Sequence, residues 1–167
     1  GGKPLIERWE SPETRLSEHV FEAPYALDRI HKHIPEMHRY SGLLHAPQFV
    51  PAVGPFPCGM RVEIPLHASL LPRDTRAETA WEILADRYRT EPFVELGPLL
   101  SDPFHEWTLD PTALNGTNRI RLHVFANPDG HLLLVGLLDN LGKGASGVAI
   151  QSLNLMLGLA EEAGLPA

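Results

Sequence analysis

The sequence predicts an α+β protein with a mixed, largely antiparallel sheet and helices on one face. Residues 118–126 and 131–138 are two apolar runs joined by the turn residues Asn-Pro-Asp-Gly, which together indicate a β-hairpin. In residues 59–70, hydrophobic and charged side chains alternate as they do along a half-buried strand. Helical patterns between and after these strands complete the mixed element order.

Start and stop signals predict three helices around this sheet. Pro35 suits the first turn of a helix that stops at Gly42. Thr75 and Glu78 form a capping box, and the apolar residues behind it recur at helical spacing. A third helix follows the small residues of 142–147. Shorter expected elements are a helix at residues 3–9, an edge strand at 49–53, a short strand at 93–96 and an irregular connection at 97–114.

Composition is that of an ordinary globular protein of one domain. A chain of 167 residues can bury a core without disulfides or metals, so we expect a single domain over residues 1–167. The formal net charge of -7 argues against a nucleic-acid partner, because phosphate binding needs a basic surface. The longest apolar run, residues 132–138, is too short to cross a membrane. Cys58 is the one cysteine, and without an acid, base or helix start beside it we interpret it as structural.

The densest ionisable chemistry lies in residues 31–37, where His31, His33 and Glu36 surround a proline. The residues alone leave three interpretations open. The histidines can be solvated groups at a helix start, or acid/base groups, since imidazole titrates near neutral pH. With His38 they can also form a metal site. The interpretation as solvated histidines ranks first. The metal site ranks last, because Pro35 interrupts the extended stretch and no Cys or Asp residues cluster nearby.

A second candidate site is the glycine-rich segment 139–147, which leads into the last helix. Small residues at a helix start expose backbone N–H groups, and Lys143 adds a positive charge, so the segment suits an anion. The same residues also fit a plain strand-to-helix turn, which is the favoured reading when they are taken alone. The glycine spacing excludes a P-loop.

Together the two segments resemble the N-acetyl-gamma-glutamyl-phosphate reductase family. Residues 31–37 resemble its H-x-H-x-P-E-[IM] motif, and residues 139–154 are similar to its D-N-L-x-K-G-A-[AS]-G-x-A-[VI]-Q-x-x-N segment. Residues 49–51, 91–94 and 116–118 follow in the family's order. The chain departs from the pattern where Gly142 replaces a common valine and Val148 a common glutamine.

This resemblance implies one part of a two-part enzyme. The family joins a Rossmann cofactor domain, which carries the nucleophilic cysteine, to a catalytic and dimerisation domain like that of glyceraldehyde-3-phosphate dehydrogenase. The present chain corresponds to the second part. The family reduces N-acetyl-glutamyl 5-phosphate, an acyl phosphate, to N-acetyl-glutamate 5-semialdehyde with NADPH in cytoplasmic arginine biosynthesis.

The resemblance also implies partners for the chain. We expect a homodimer or tetramer that works with its own Rossmann domain and is inactive without it. Neither a nucleic acid nor a membrane is expected as a partner. The alternatives are a non-catalytic dimerisation module and a related reductase that acts on an aminoadipyl phosphate.

By resemblance, His31 matches the family's catalytic histidine, which exchanges a proton with the cysteine and the hemithioacetal. His33 and Glu36 match positions near the substrate. No metal is implied. The expected cofactor contacts are Asn140, near the nicotinamide, and Lys143 and Gly144, where the closing helix approaches the cofactor domain.

Overall fold

The computed structural model describes residues 7, 11–13, 22–99 and 109–166. The chain divides into two compact units, Gly1–Phe56 and Pro57–Ala167. Of the helix expected at residues 3–9 only Glu7 is described, and it is helical. Half of the expected connection at 97–114, residues 100–108, lies outside the described residues. No helix in the described ranges is long and apolar enough to span a bilayer.

The first unit contains a two-stranded antiparallel sheet and one helix. Strand β1 (Ala23–Pro24) pairs with β2 (Ala52–Val53), and helix α1 (Ile34–Ser41) lies between them in sequence. The helix ends at Gly42, whose φ of 70° closes it in the left-handed conformation. Its position confirms the prediction. The strand predicted at 49–53 is shorter than expected, because Pro51 has no N–H to donate to a ladder.

The second unit is built on a four-stranded sheet in the order β3–β6–β5–β4. Strands β5 and β6 form the predicted antiparallel hairpin, and β6 also pairs antiparallel with β3. The last pair, β4 with β5, is parallel. The prediction of a mixed, largely antiparallel sheet is therefore confirmed. The strands are β3 (Met60–Leu66), β4 (Val94–Leu96), β5 (Ile120–Ala126) and β6 (Leu132–Leu138).

Two helices accompany this sheet. Helix α2 (Ala77–Tyr88) packs against β4 and β5, and its Trp81 Nε1 donates to the carbonyl of Gly97 at 2.8 Å. Helix α3 (Gly147–Leu157) follows a π-helical turn (Gly142–Ser146). Both helices lie in the predicted regions.

Local hydrogen bonds change two predicted boundaries. The reciprocal capping box is wrong: Arg76 is the cap residue of α2, and the Thr75 hydroxyl donates instead to the Pro72 carbonyl at 2.7 Å. The strand predicted to reach residue 70 ends at Leu66. His67 Nδ1 accepts the Ser69 N–H and so caps a short 3-10 turn there.

One buried cluster of the second unit lies on one side of β6. Leu137 and Val135 are fully buried there and pack with Leu114 from the connection before β5. On the opposite side of the sheet, alternate residues of β3 are exposed although they are apolar. These are Met60, Val62 and Ile64, which are 37%, 40% and 49% exposed.

Candidate functional site

In the first unit, His31 lies in the turn before α1 with its ring half-buried. Its centroid is 5.8 Å from that of Tyr25, 5.1 Å from that of Phe49 and 4.8 Å from that of His33, and all three contacts are edge-to-face. Tyr25 follows β1, and its N–H donates to the Pro51 carbonyl at 2.9 Å. The pairing of β1 with β2 therefore brings the segments that carry Tyr25 and Phe49 to the imidazole.

The surroundings of His31 determine its charge and its tautomer. The backbone N–H of His33 donates to His31 Nδ1 at 3.3 Å. Because Nδ1 acts as an acceptor, the neutral ring carries its proton on Nε2. Loss of water around the ring lowers the pKa of His31, and the positive charges of His33 and Lys32 lower it further. The imidazole is therefore mainly neutral at neutral pH.

The other predicted residues of this cluster are exposed. His33 immediately precedes α1, and Glu36 lies in the first turn of that helix. The helix dipole stabilises a negative charge at this position. The structure therefore brings His33 into contact with His31 and places Glu36 on the adjoining helical turn. In the parts of the chain that the structure describes, no group of three His, Cys, Asp or Glu residues could hold a metal ion.

In the second unit, Asp139 fixes the loop that carries the other candidate residues. Its carboxylate is 6% exposed and accepts backbone N–H groups from Gly116, Leu141 and Gly142 at 2.8–3.0 Å. These bonds, chiefly those from Gly116 and Gly142, lower the pKa of Asp139 and keep it ionised. Sequence reasoning missed this role, because Gly116 is far from the loop in sequence.

Asn140 is held next to the start of β3. Its Oδ1 accepts the Gly59 N–H at 2.7 Å. Gly59 has a φ of 114°, and a Cβ at this position would lie 2.4 Å from the Pro111 carbonyl oxygen, so only glycine fits here. The amide nitrogen of Asn140 has no hydrogen-bond partner within the described ranges. Asn140 therefore presents an anchored amide whose donor is open.

The groups that the sequence offered to an anion have partners inside the protein. Lys143 Nζ donates to Gln151 Oε1 at 2.6 Å and lies 5.4 Å from the centroid of the Phe93 ring. Burial lowers the pKa of Lys143, although the nearby carboxylates Glu161 and Glu91 oppose that effect. The Gly144 N–H donates to the Asp139 carbonyl at 2.8 Å. These contacts hold the loop to α3.

Sequence reasoning also missed the polar side chains under α3. Gln151 accepts from Lys143 and from Asn118 Nδ2, and its own amide donates to Glu161. Asn154 is 5% exposed and donates to two carbonyls of the C-terminal segment at 3.0 and 2.9 Å. The signal was available: Gln151 and Asn154 lie three residues apart, on one face of a helix whose only other polar side chain is Ser152.

The comparisons with known proteins decide the family. A family model described as the semialdehyde dehydrogenase dimerisation domain matches residues 7–140, which is most of the chain. This chain belongs to that family. The matched range includes the His31 cluster and ends at Asn140.

Several relatives of this chain bear one enzyme name. It is 45% identical to N-acetyl-gamma-glutamyl-phosphate reductase 2 of Nostoc, over 99% of this chain and 53% of that protein. It is 42% identical to the N-acetyl-gamma-glutamyl-phosphate reductase of Burkholderia cenocepacia, over 95% of this chain and 50% of that protein. The resemblance found in the sequence is confirmed. The chain spans about half the length of these curated relatives.

Proposed function

We propose that this chain is the catalytic and dimerisation part of an N-acetyl-gamma-glutamyl-phosphate reductase. In this proposal it works with a Rossmann cofactor domain that also supplies the nucleophilic cysteine, and it is inactive without that domain. The observation that carries the proposal is His31, a neutral imidazole with one ring nitrogen occupied and the other available. The names of relatives 42–45% identical to the chain support the same reaction.

This chain contributes a proton donor, His31, to the chemistry. Reduction of an acyl phosphate through a thioester needs a thiolate nucleophile and a group that serves the developing oxyanion. His31 meets the second need, because its neutral ring carries a proton on Nε2 while Nδ1 accepts the His33 N–H. Nε2–H can donate a hydrogen bond, and then its proton, to the oxyanion. In this tautomer Nε2 has no lone pair to take the thiol proton, so the cysteine enters the reaction as its thiolate. In this scheme the substrate is N-acetyl-glutamyl 5-phosphate and the product is N-acetyl-glutamate 5-semialdehyde.

We assign His33 and Glu36 to the substrate side of this site. Both side chains are exposed, and His33 touches the ring of His31. An imidazole and a carboxylate can orient the amide and carboxyl groups of an acylated amino acid by hydrogen bonds. Neither residue needs to move a proton in this role.

Asn140 fits the nicotinamide end of NADPH, which supplies a hydride when it is bound. A carboxamide has an acceptor oxygen, and the open Asn140 amide nitrogen is a matching donor held in place by Gly59. We place Lys143 and Gly144 at the same end of the cofactor. Their internal bonds hold the loop, so they shape the approach to Asn140.

The family description and the exposed apolar surfaces support the proposed partners. We propose that the chain self-associates through the sheet face that exposes Met60, Val62 and Ile64, because an apolar face of this kind marks an interface. Helix α3 exposes Leu153 and Met156, which are 51% and 82% exposed, and we assign this surface to the cofactor domain. Since the family match crosses both compact units, we propose that residues 1–167 form one functional domain. We place the enzyme in the cytoplasm, with neither a nucleic acid nor a membrane as partner.

A chimera tests this function. This chain would replace the matching half of the Nostoc reductase, and NADPH-dependent reduction of the acyl phosphate would be measured for the chimera and for the isolated chain. We expect an active chimera and an inactive isolated chain. Turnover by the isolated chain would contradict the two-part scheme. Faster turnover of an aminoadipyl phosphate would identify the related reductase instead.

Substitution of His31 separates the enzyme from the dimerisation module. His31→Ala in the active chimera is expected to lower kcat by about 10²–10⁴-fold, the usual contribution of a positioned acid/base group. Tyr40→Ala serves as the matched control, because Tyr40 is an exposed ring on α1. If His31→Ala turns over like the control, the non-catalytic module is the better description.

A further inference from the structure

We propose that Phe49 is a positioning residue. Together with the His33 backbone amide it holds the His31 ring so that Nε2, which carries the proton, is the ring nitrogen available to a reacting group. The inference concerns the orientation of one ring and stands on the contacts of the first unit. Its consequence for turnover rests on the function proposed above. Phe49 itself has no group that could bind or transfer a proton, so it acts only through His31.

The first step is the hydrogen bond to His31. The His33 N–H donates to Nδ1 at 3.3 Å, which occupies that nitrogen's lone pair. Nε2 has no hydrogen-bond partner among the residues that the structure describes. A neutral imidazole bonded in this way carries its proton on Nε2. The nitrogen that is free to meet a reacting group is therefore Nε2.

The second step is that this bond alone is too weak to fix the ring. At 3.3 Å it is longer than the usual N–H···O distance in proteins. Rotation about the Cβ–Cγ bond would exchange Nδ1 for a ring carbon and lose the bond. A further contact must therefore keep the imidazole in this rotamer.

Phe49 supplies that contact. Its ring is half-buried and meets the imidazole at 68° with centroids 5.1 Å apart, a favourable edge-to-face arrangement. It is brought there by strand pairing, because β2 begins three residues later and is paired with β1. Tyr25, just after β1, contacts the same imidazole from the other segment.

The same contacts set the electrostatic surroundings of the ring. Among the residues that the structure describes, the titratable groups around His31 are His33 and Lys32 from its own turn and the Tyr25 phenol from the end of β1. Phe49 contributes no charge and excludes water. Loss of its ring would return water to the imidazole and raise the pKa of His31 towards the ordinary value, because desolvation is the largest cause of its lowering.

Nitrogen NMR of the purified chain tests the orientation without any activity. Long-range ¹H–¹⁵N spectra distinguish a protonated ring nitrogen from an unprotonated one. We expect His31 to show a single tautomer with its proton on Nε2. Phe49→Leu should populate both tautomers and raise the His31 pKa, whereas Phe49→Tyr and the control Tyr40→Leu should resemble the parent. A proton on Nδ1 in the parent, or an unchanged spectrum in Phe49→Leu, would overturn the inference.

Kinetics of the chimera then test the consequence for turnover. Phe49→Leu should lower kcat by roughly ten- to hundredfold, as expected when a reacting group is misplaced. The KM values for both substrates should change less than about threefold, because Phe49 touches neither. Phe49→Tyr should restore most of kcat, and a loss that it does not restore would contradict positioning. If His31→Ala has no effect while the NMR results hold, the proposed function fails and the ring orientation stands.

Discussion

Replacing the buried His123 with leucine is expected to stabilise the protein. His123 lies in β5, is 4% exposed, and neither of its ring nitrogens has a hydrogen-bond partner in the described ranges. An unsatisfied buried polar group costs about 1–3 kcal/mol. Leucine occupies a similar volume without that group and keeps an apolar contact for the stacked Phe125 ring. We therefore expect His123→Leu to raise the free energy of unfolding by about 1–2 kcal/mol at pH 7.

The pH dependence of stability provides a second, independent test of this prediction. Burial lowers the pKa of His123, the charge of Arg121 lowers it further, and Glu95 opposes both. Below a pH of about 6.5, where an exposed histidine titrates, the unfolded chain binds a proton that the folded state excludes. As the pH is lowered, the free energy of unfolding of the parent should then decrease by up to about 1.4 kcal/mol per pH unit, until the folded histidine also binds a proton. The leucine variant lacks this slope.

Urea unfolding at pH 7.0 and 5.5, followed by circular dichroism, measures both effects. The advantage of His123→Leu should be present at pH 7.0 and larger at pH 5.5. His45→Leu is the matched control, since His45 is exposed and its loss should not stabilise the fold. A leucine variant that is less stable than the parent at pH 7.0 would refute the reasoning, as would an advantage that is equal at the two pH values.

The remaining predictions concern packing and loop anchoring, all by urea unfolding. Gly59→Ala should destabilise the chain by more than about 1 kcal/mol, because its Cβ would meet the Pro111 carbonyl at 2.4 Å at a positive φ; a neutral result would contradict the strain. Asn154→Ala should cost about 2 kcal/mol, because the buried Asn154 amide and its two bonds to the carbonyls of Glu161 and Ala163 are lost. Faster proteolysis of the C-terminal segment should accompany it. Leu137→Ala should cost about 2–5 kcal/mol, since Leu137 has no exposed surface; Leu155→Ala, at an exposed position, should cost far less.

Local signals predicted most of the second unit's secondary structure. The hairpin followed from Asn-Pro-Asp-Gly between two apolar runs, because the turn conformation is determined by those four residues. The capping box failed because the helix begins one residue later than the motif requires: Arg76 is the cap residue, and the Thr75 hydroxyl donates to the Pro72 carbonyl of the preceding turn. Such a choice depends on the position of a preceding turn, which a short motif does not contain.

The chemistry of the candidate site divides in the same way. The residue types of His31 and Asn140 and the helix start after Pro35 are determined by the sequence, because side-chain chemistry and proline's fixed φ are local properties. The tertiary structure alone decided which atoms remain available. Phe49 contacts His31 because strand pairing brings their segments together. The Gly59 N–H donates to Asn140 Oδ1, although the two residues are 81 positions apart in sequence. These contacts depend on how distant segments pack, and no residue spacing along the chain encodes that packing.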